Sequence, residues 1–339
     1  MTGDRLIRIV CLVAAAGIAA VTLQFPVYAG PSPTGPGPAW ASLTPVPSVF
    51  GPPFGGVEGM SVAGVGNHII AALGFDNGAG DTSTTRIYDI SSDTWFFGSP
   101  APGVSSENAG VSHGGLFYSL GGRFIGPRAD LWSYDPVLDA WNAALAPMPT
   151  PRAGLAAAVV GNSIFAIGGR SGTGGPCSGG ALATVERYDI AFDMWTPVAS
   201  LPSARSDLAA AVVGHRIYVF GGCTAGPLTI VGDVDVYDPT TDTWSMAPTD
   251  MPTPRASFYG VATKGGTVYA IGGWDGITPG SSTNEAYKAN QDTWMTGLLP
   301  MPTNRAEAGA VGHGGRIYIV GGAQPGFGAS VDANEVFKP

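Results

Sequence analysis

Hydrophobic positions along this chain fall in short runs with turn signals between them. One stretch shows the pattern: "LAAAVV" from Leu208, "RIYVFGG" from Arg216, "DVDVYD" from Asp233 and "TWSMAP" from Thr243. These runs are too short for amphipathic helices and rich in β-branched and aromatic residues, which fits half-buried strands. "GH", a glycine-rich loop after Gly222 and "PTTD" separate them. Such residues turn the chain because glycine accepts positive φ, proline fixes φ, and Asp or Thr bonds its own backbone. The pattern predicts four short antiparallel strands in succession.

The same pattern returns along the chain. "PTPRAGLAAAVVGNSIFAIGGRSG" (149–172) is restated as "PSARSDLAAAVVGHRIYVFGGCTA" (202–225). Six copies superpose from Trp40 onward, with tryptophans at Trp40, Trp95, Trp141, Trp195, Trp244 and Trp294. Double glycines stand at Gly121-Gly122, Gly168-Gly169, Gly221-Gly222, Gly272-Gly273 and Gly321-Gly322, with Gly74-Phe75 expected as the first copy's equivalent. Tyr-Asp pairs at Tyr88, Tyr134, Tyr188 and Tyr237 soften to Tyr287-Lys288 and Phe337-Lys338 in the last two copies. A four-stranded sheet this small cannot bury both faces alone, so neighbouring copies must stack. The glycines let a neighbouring chain approach, and the aromatic residues are expected to be packing plates between sheets.

An arginine, a strand, "IYVFGG", "VYD" and "DTW" in this order resemble the kelch repeat, over about 300 residues. The resemblance implies an all-β fold: a six-bladed propeller of four-stranded antiparallel blades around a channel. The last copy stops at "NEVFKP", a third strand, whereas "AWASLTP" (39–45) is a fourth strand with no copy before it. The N-terminal strand is therefore expected to complete the C-terminal blade, which removes two open edges.

Composition narrows the class. The chain of 339 residues carries 52 glycines and 29 prolines, is 45% hydrophobic and 12% charged, and has a net charge of −9. That acidity and sparse lysine argue against a nucleic-acid partner. Residues 1–29 read as a cleaved secretory signal, with Arg5 and Arg8 ahead of an uncharged run from Ile9 to Leu23 and then Val27-Tyr28-Ala29. The run is too short for a stable membrane span. Residues 30–39, "GPSPTGPGPA", read as a Pro/Gly linker, leaving 40–339 for the propeller.

Calling the strands a to d from the axis outward, the d-to-a and b-to-c connections share one face. Arg152, Arg205, Arg255 and Arg305 each precede their double glycine by 16 or 17 residues, at the start of strand a. They are expected around one channel mouth, with Glu58 and Ser105 in the same slot of the first two copies. The b-to-c loops add Arg123, Arg128, Arg170, Trp274 and Asp275 to that face. One arginine per copy fits the repeat's own hydrogen bonding, yet a guanidinium fork also suits a carboxylate, as arginines in this slot do in some kelch proteins. Both roles can coexist. Cys177 and Cys223 lie in b-to-c loops of adjacent blades and are candidates for a disulfide. His68, His113, His215 and His313 fall at a-to-b turns on the far face, too dispersed for a metal site. "DNGAGD" (76–81) fails calcium-loop spacing. No catalytic residue, metal or cofactor is assigned.

The resulting expectation is a secreted module that binds a protein or glycan, an anionic one suiting its arginines, through the d-a/b-c face. The alternative implied by the resemblance is an epimerase (mutarotase) of the sialic acid type, with Glu58 or Glu107 acting beside Arg152 or Arg305. A copper enzyme like galactose oxidase is disfavoured by the scattered histidines.

Overall fold

The computed structural model describes residues 37–49, 56–224, 229–257, 261–277, 280–324 and 330–339. Residues 1–29, read above as a signal, and most of the expected linker lie outside these residues. Among those described there is no helix long and apolar enough to cross a membrane.

Six four-stranded antiparallel sheets account for the repeats. Blade 1 runs through Ser61–Val65, His68–Ala72, Thr85–Asp89 and Thr94–Gly98. Blade 4, the stretch with which the pattern was introduced, runs through Ala209–Val213, Arg216–Phe220, Val234–Asp238 and Thr243–Met246. Blade 6 takes strands a to c from Gly309–His313, Arg316–Val320 and Asn334–Lys338, and its d strand from Ala39–Ser42 at the other end of the chain. Trp40 lies opposite Phe337, the register that Trp244 and Tyr237 hold in blade 4. The predicted seam is therefore present.

The inner strands neighbour one another in cyclic order, blade 6 against blade 1. A ring of backbone hydrogen bonds closes around the axis at the arginine-bearing end. Glu107 N donates to Gly59 O, Gly154 N to Glu107 O, Asp207 N to Gly154 O, Ser257 N to Asp207 O, Glu307 N to Ser257 O, and Gly59 N to Glu307 O, at 2.6–3.2 Å. Each blade gives one donor and one acceptor, so the ring has six members and no gap. All six residues sit at φ between 51° and 59°.

Hydrophobic burial lies between blades. The seam shows how: Val62, Ile69 and Tyr88 of blade 1 share one cluster with Val311, Tyr318, Val320 and Val336 of blade 6. Neither blade could bury these residues alone. The tryptophans of strand d do more than pack. Each indole N–H reaches a carbonyl of the preceding blade: Trp195 to Ala146 O and Trp244 to Ala199 O at 2.8 Å, Trp95 to Thr44 O at 2.9 Å, Trp40 to Leu299 O and Trp141 to Ser99 O at 3.0 Å, Trp294 to Thr249 O at 3.4 Å. The partner tyrosines pack at a tilt against these indoles and donate to an Asp in the c-to-d turn, as Tyr237 does to Asp242.

The double glycine sits where two blades touch. A Cβ on Gly121 would lie 2.6 Å from the carbonyl of Arg152, and φ there is 65°. In blade 1 the equivalent pair is Leu73-Gly74, one residue earlier than expected. Gly74 N donates to Ser105 O as Gly122 N does to Arg152 O, and Leu73 takes the left-handed backbone at φ 66°. Likewise Val57, not Glu58, fills the arginine slot of the first copy, because its carbonyl accepts from Gly322 N. Glu58 is displaced one residue toward the axis.

Candidate binding site at the axial mouth

The arginines of strand a are buried inside their own blades. Arg152, Arg205, Arg255 and Arg305 are all 0% exposed. Arg152 Nη1 meets Glu186 Oε2 at 2.7 Å, Arg255 Nη2 meets Glu285 Oε2 at 2.8 Å, and Arg305 Nη1 meets Glu335 Oε2 at 2.6 Å; Arg205 pairs with Asp235. Further donors of each fork go to backbone carbonyls, as Arg255 Nη1 does to Gly272 O at 2.9 Å and Thr283 O at 3.1 Å, while Nε of Arg152, Arg205 and Arg305 is buried without a hydrogen-bond partner. Burial pulls the Arg255 guanidinium down to about 10, against the opposing effect of Glu285. A ligand could reach these four groups only by displacing their partners. Blade 1 inverts the arrangement: Arg86 stands in strand c and pairs with Asp76 at 2.9 Å, both side chains fully buried.

The partner carboxylates have a signal of their own in the sequence. They stand two residues before the aromatic residue of strand c, as Glu186, Asp235, Glu285 and Glu335. Copies with arginine in the slot carry an acid there; the two copies without it carry Arg86 and Trp132. That correlation within one chain is the signature of the pair.

The mouth itself is built from the residue two places after the slot, the axial ring described above. Four of its six members keep side chains: Glu107, Asp207, Ser257 and Glu307. All four are buried. Left-handed backbone is costly for residues with a Cβ, so retaining them where Gly59 and Gly154 show that glycine fits points to use of the side chains.

Two arginines of the b-to-c loops reach this ring. Arg123 Nε donates to Glu107 Oε1 at 2.7 Å, and Arg170 bonds the other Glu107 oxygen. Arg170 also meets Asp207 Oδ1 at 2.5 Å. Asp207 Oδ2 accepts from Cys177 N and from Ser206 Oγ, both at 2.7 Å. Arg170 is fully buried, whereas Arg123 is 31% exposed in its side chain. A cavity of about 370 Å³ opens here, lined by Glu58, Phe75, Glu107, Arg123, Pro176 and Glu307 among others.

Glu58 and Glu307 have no guanidinium partner among the described residues. Burial raises the Glu58 carboxyl, with Ser330 and Arg123 opposing. Burial, with Glu58 and Asp207 adding repulsion, pushes Glu307 from 4.5 up to about 8, against the pull of Arg170 and Arg123.

Cys177 and Cys223 form a disulfide with a Cα separation of 5.5 Å. It ties the blade 3 loop carrying Pro176 to the start of the blade 4 loop. Trp274 and Asp275 lie on the blade 5 loop, part-buried, with Asp275 Oδ1 accepting from Ile277 N at 2.9 Å. Arg128 packs over the Trp132 ring at 5.3 Å and bonds Asp130 at 2.5 Å. The histidines sit at the a-to-b turns as expected, His113 Nε2 lying 3.0 Å from Asn162 Oδ1. Cys177, Asp207 and Cys223 are close enough to resemble a metal cluster, but both sulfurs are in the disulfide.

Residues 109–322 match the KLHDC2/KLHL20/DRC7 Kelch-repeats domain. The chain belongs to the kelch-repeat family. Kelch-like protein 36 of Bos taurus is 32% identical over 195 residues, covering 54% of this chain and 30% of the relative. Beta-scruin of Limulus polyphemus is 32% identical over 200 residues, covering 57% of this chain and 22% of that protein. Kelch-like protein 34 of Homo sapiens is 31% identical over 158 residues, 45% of this chain and 24% of the relative. The matches thus span less than a third of these relatives' lengths. The fold described above is the one that the kelch pattern implies.

Proposed function

We propose that this kelch propeller is a binding module that takes a protein partner at the axial mouth and the b-to-c loops around it. The observation carrying this reading is the cavity lined by Phe75, Arg123, Glu58 and Glu307 beside a rigid ring. Such a site is concave, mixed in polarity and preorganised by the scaffold. The arginines Arg152, Arg205, Arg255 and Arg305 support the site from within their blades; Arg123 is the guanidinium that lines the cavity. The similarity to Kelch-like proteins and to a scruin supports a binding role over catalysis by family analogy. Secretion is part of the proposal, supported by the reading of residues 1–29 and by the disulfide, which belongs to an oxidising compartment.

The test is a peptide and glycan array probed with residues 30–339. Arg123→Ala and Phe75→Ala alter the mouth without touching the four arginine–carboxylate pairs inside the blades, and His113→Ala alters the far face. The expected result is peptide binding that the first two variants weaken at least tenfold and the third leaves intact. Binding unaffected by Arg123→Ala and Phe75→Ala overturns the assignment of the face, and binding to glycans alone overturns the protein partner.

The epimerase alternative has one observation in its favour, a carboxyl near 8 in a cavity, where a general acid or base works well. Its arginine requirement is met differently from expectation: Glu107 pairs with Arg123 and Arg170, while Arg152 and Arg305 are held by Glu186 and Glu335. Anomer exchange of α-sialic acid followed by NMR decides it, a rate equal to that in buffer removing the enzyme reading.

A further inference from the structure

Four carboxylates surround the axial mouth, and two guanidiniums. Glu107 and Asp207 share Arg123 and Arg170. Glu58 and Glu307 are left over, so the mouth carries two potential negative charges beyond its own cations. Glu307 is 5% exposed, makes no side-chain hydrogen bond among the described residues, and lines the cavity. Its Oε2 would lie 3.6 Å from a Cβ placed on Gly59, which puts the carboxyl over the residue next to Glu58. Glu58 Oε2 is itself buried without a hydrogen-bond partner. A buried acceptor left unmatched is costly, so an external donor gains by meeting Glu58 Oε2.

We propose that this mouth binds a primary ammonium group, presented by a lysine side chain of a protein partner. The inference rests on the reading that the partner docks on this face and names the chemistry of its anchor. An ammonium offers three rotatable donors on a compact charge, which suits two separated carboxyls better than the planar arginine fork. Phe75 lies directly across from Glu58 in the short pairing of Val57–Glu58 with Phe75–Asp76, and Pro176 adds a second apolar wall. Together they suit the methylene stem that carries the charge. A hard divalent cation would need several converging oxygens. Among the described residues, the only trio of metal-ligating groups whose donor atoms lie within 4.8 Å of one another contains the two disulfide sulfurs.

Binding is linked to protons. Glu307 faces Glu58, Asp207, Arg170 and Arg123, and is protonated in the empty site below about pH 8. Taking up an ammonium requires it to ionise, so the complex releases a proton. Affinity therefore rises with pH, by up to tenfold per unit below about 8, until the lysine itself begins to lose its charge near 10.

The experiment titrates residues 30–339, carrying 13C-labelled glutamate carboxyls, with Nα-acetyl-lysine amide, Nα-acetyl-norleucine amide, glucosamine and calcium chloride at pH 6.0 and 7.5. Glu307→Gln and Glu58→Gln are run beside the wild type; Gln copies the protonated carboxyl, and the thermal midpoint checks the fold. Expected are lysine amide at least tenfold tighter than norleucine amide, tighter binding at pH 7.5 than at 6.0, a Glu307 carbon that ionises at lower pH with ligand, and loss of that preference in both variants. Equal binding of lysine and norleucine amides, or variants that bind lysine as the wild type does, overturns the ammonium site. Saturation by glucosamine or calcium with no response to lysine overturns the lysine anchor. Lysine binding together with an array that shows no peptide removes the protein partner and keeps the pocket; array binding through this face without a lysine preference removes the pocket alone.

Discussion

Replacing Glu285 by glutamine separates architecture from recognition at the repeat arginines. The substitution keeps shape and removes one charge, leaving Arg255 fully buried beside a neutral amide. Breaking a buried pair by removing one partner costs about 3–5 kcal/mol. Arg255 retains its carbonyl contacts at Gly272, Thr283, Ala270 and Thr253, 2.9–3.3 Å away, so the lower end applies, about 3 kcal/mol. A fold of about 300 residues unfolds with an entropy near 0.6 kcal/mol/K, so the thermal midpoint should fall by about 5 °C. Arg216→Ala is the control: its pairing with Asp238 at 3.2 Å is solvent-exposed, and the midpoint should stay where it was. The double substitution Arg255→Met with Glu285→Leu should lose less than the two singles summed, because no unpaired charge remains. Differential scanning calorimetry reads all of these proteins, with the singles Arg255→Met and Glu285→Leu beside the double and the wild type. A Glu285→Gln midpoint within about 1 °C of wild type refutes the reasoning that the arginine is held there to complete its blade.

Three further outcomes follow from the same geometry. Trp40→Ala removes the hydrogen bond to Leu299 O and the stacking on Phe337 at 4.9 Å, and should destabilise the whole fold by about 2–3 kcal/mol in one cooperative transition; a separate early transition of blade 6 in urea would contradict this. Serine at both Cys177 and Cys223 frees a loop spanning 46 residues of sequence, a loss of up to about 4 kcal/mol on chain-entropy grounds, and should raise proteolysis near Pro176; an unchanged denaturation midpoint and cleavage pattern would count against it. Glu307 is protonated in the fold and ionised in the unfolded chain between about pH 4.5 and 8, so folding takes up a proton there and its contribution to stability is lost as pH rises through that window. Glu307→Gln should flatten that slope in urea midpoints taken from pH 5 to 8, and a slope equal to wild type would assign it to other groups.

Blade boundaries were legible because the strand pattern recurs, and a recurring unit of four strands has only a stacked solution. The seam was legible from the ends, where a third strand and an unaccompanied fourth strand complement each other. Register in the first copy was not. A lone Gly74 can be aligned with either glycine of the pair, and only the hydrogen bond from Gly74 N to Ser105 O fixes it, with Leu73 in the left-handed position. The slot arginines stand out by type and recurrence, which points first to a blade part and leaves ligand contact open. Their burial depends on Glu186, Asp235, Glu285 and Glu335, some 30 residues downstream, and only the paired occurrence across copies announces it. The axial ring escaped notice because its members share a backbone conformation rather than a residue type: Gly59, Glu107, Gly154, Asp207, Ser257 and Glu307 have no common side chain. Arg170 and Glu107, 63 residues apart, meet only because successive blades turn their loops toward one axis.

The closed ring positions every group assigned to the mouth, and amide hydrogen exchange tests it most directly. The amides of residues 59, 107, 154, 207, 257 and 307 are bonded in a circle at the end of an open channel. Exchange of all six at one slow rate, matching global unfolding, is the predicted result. Rapid exchange at Gly59, whose amide makes the bond to Glu307 O, with the other five protected, would mean that the circle is open between the first and last blades and would contradict the account.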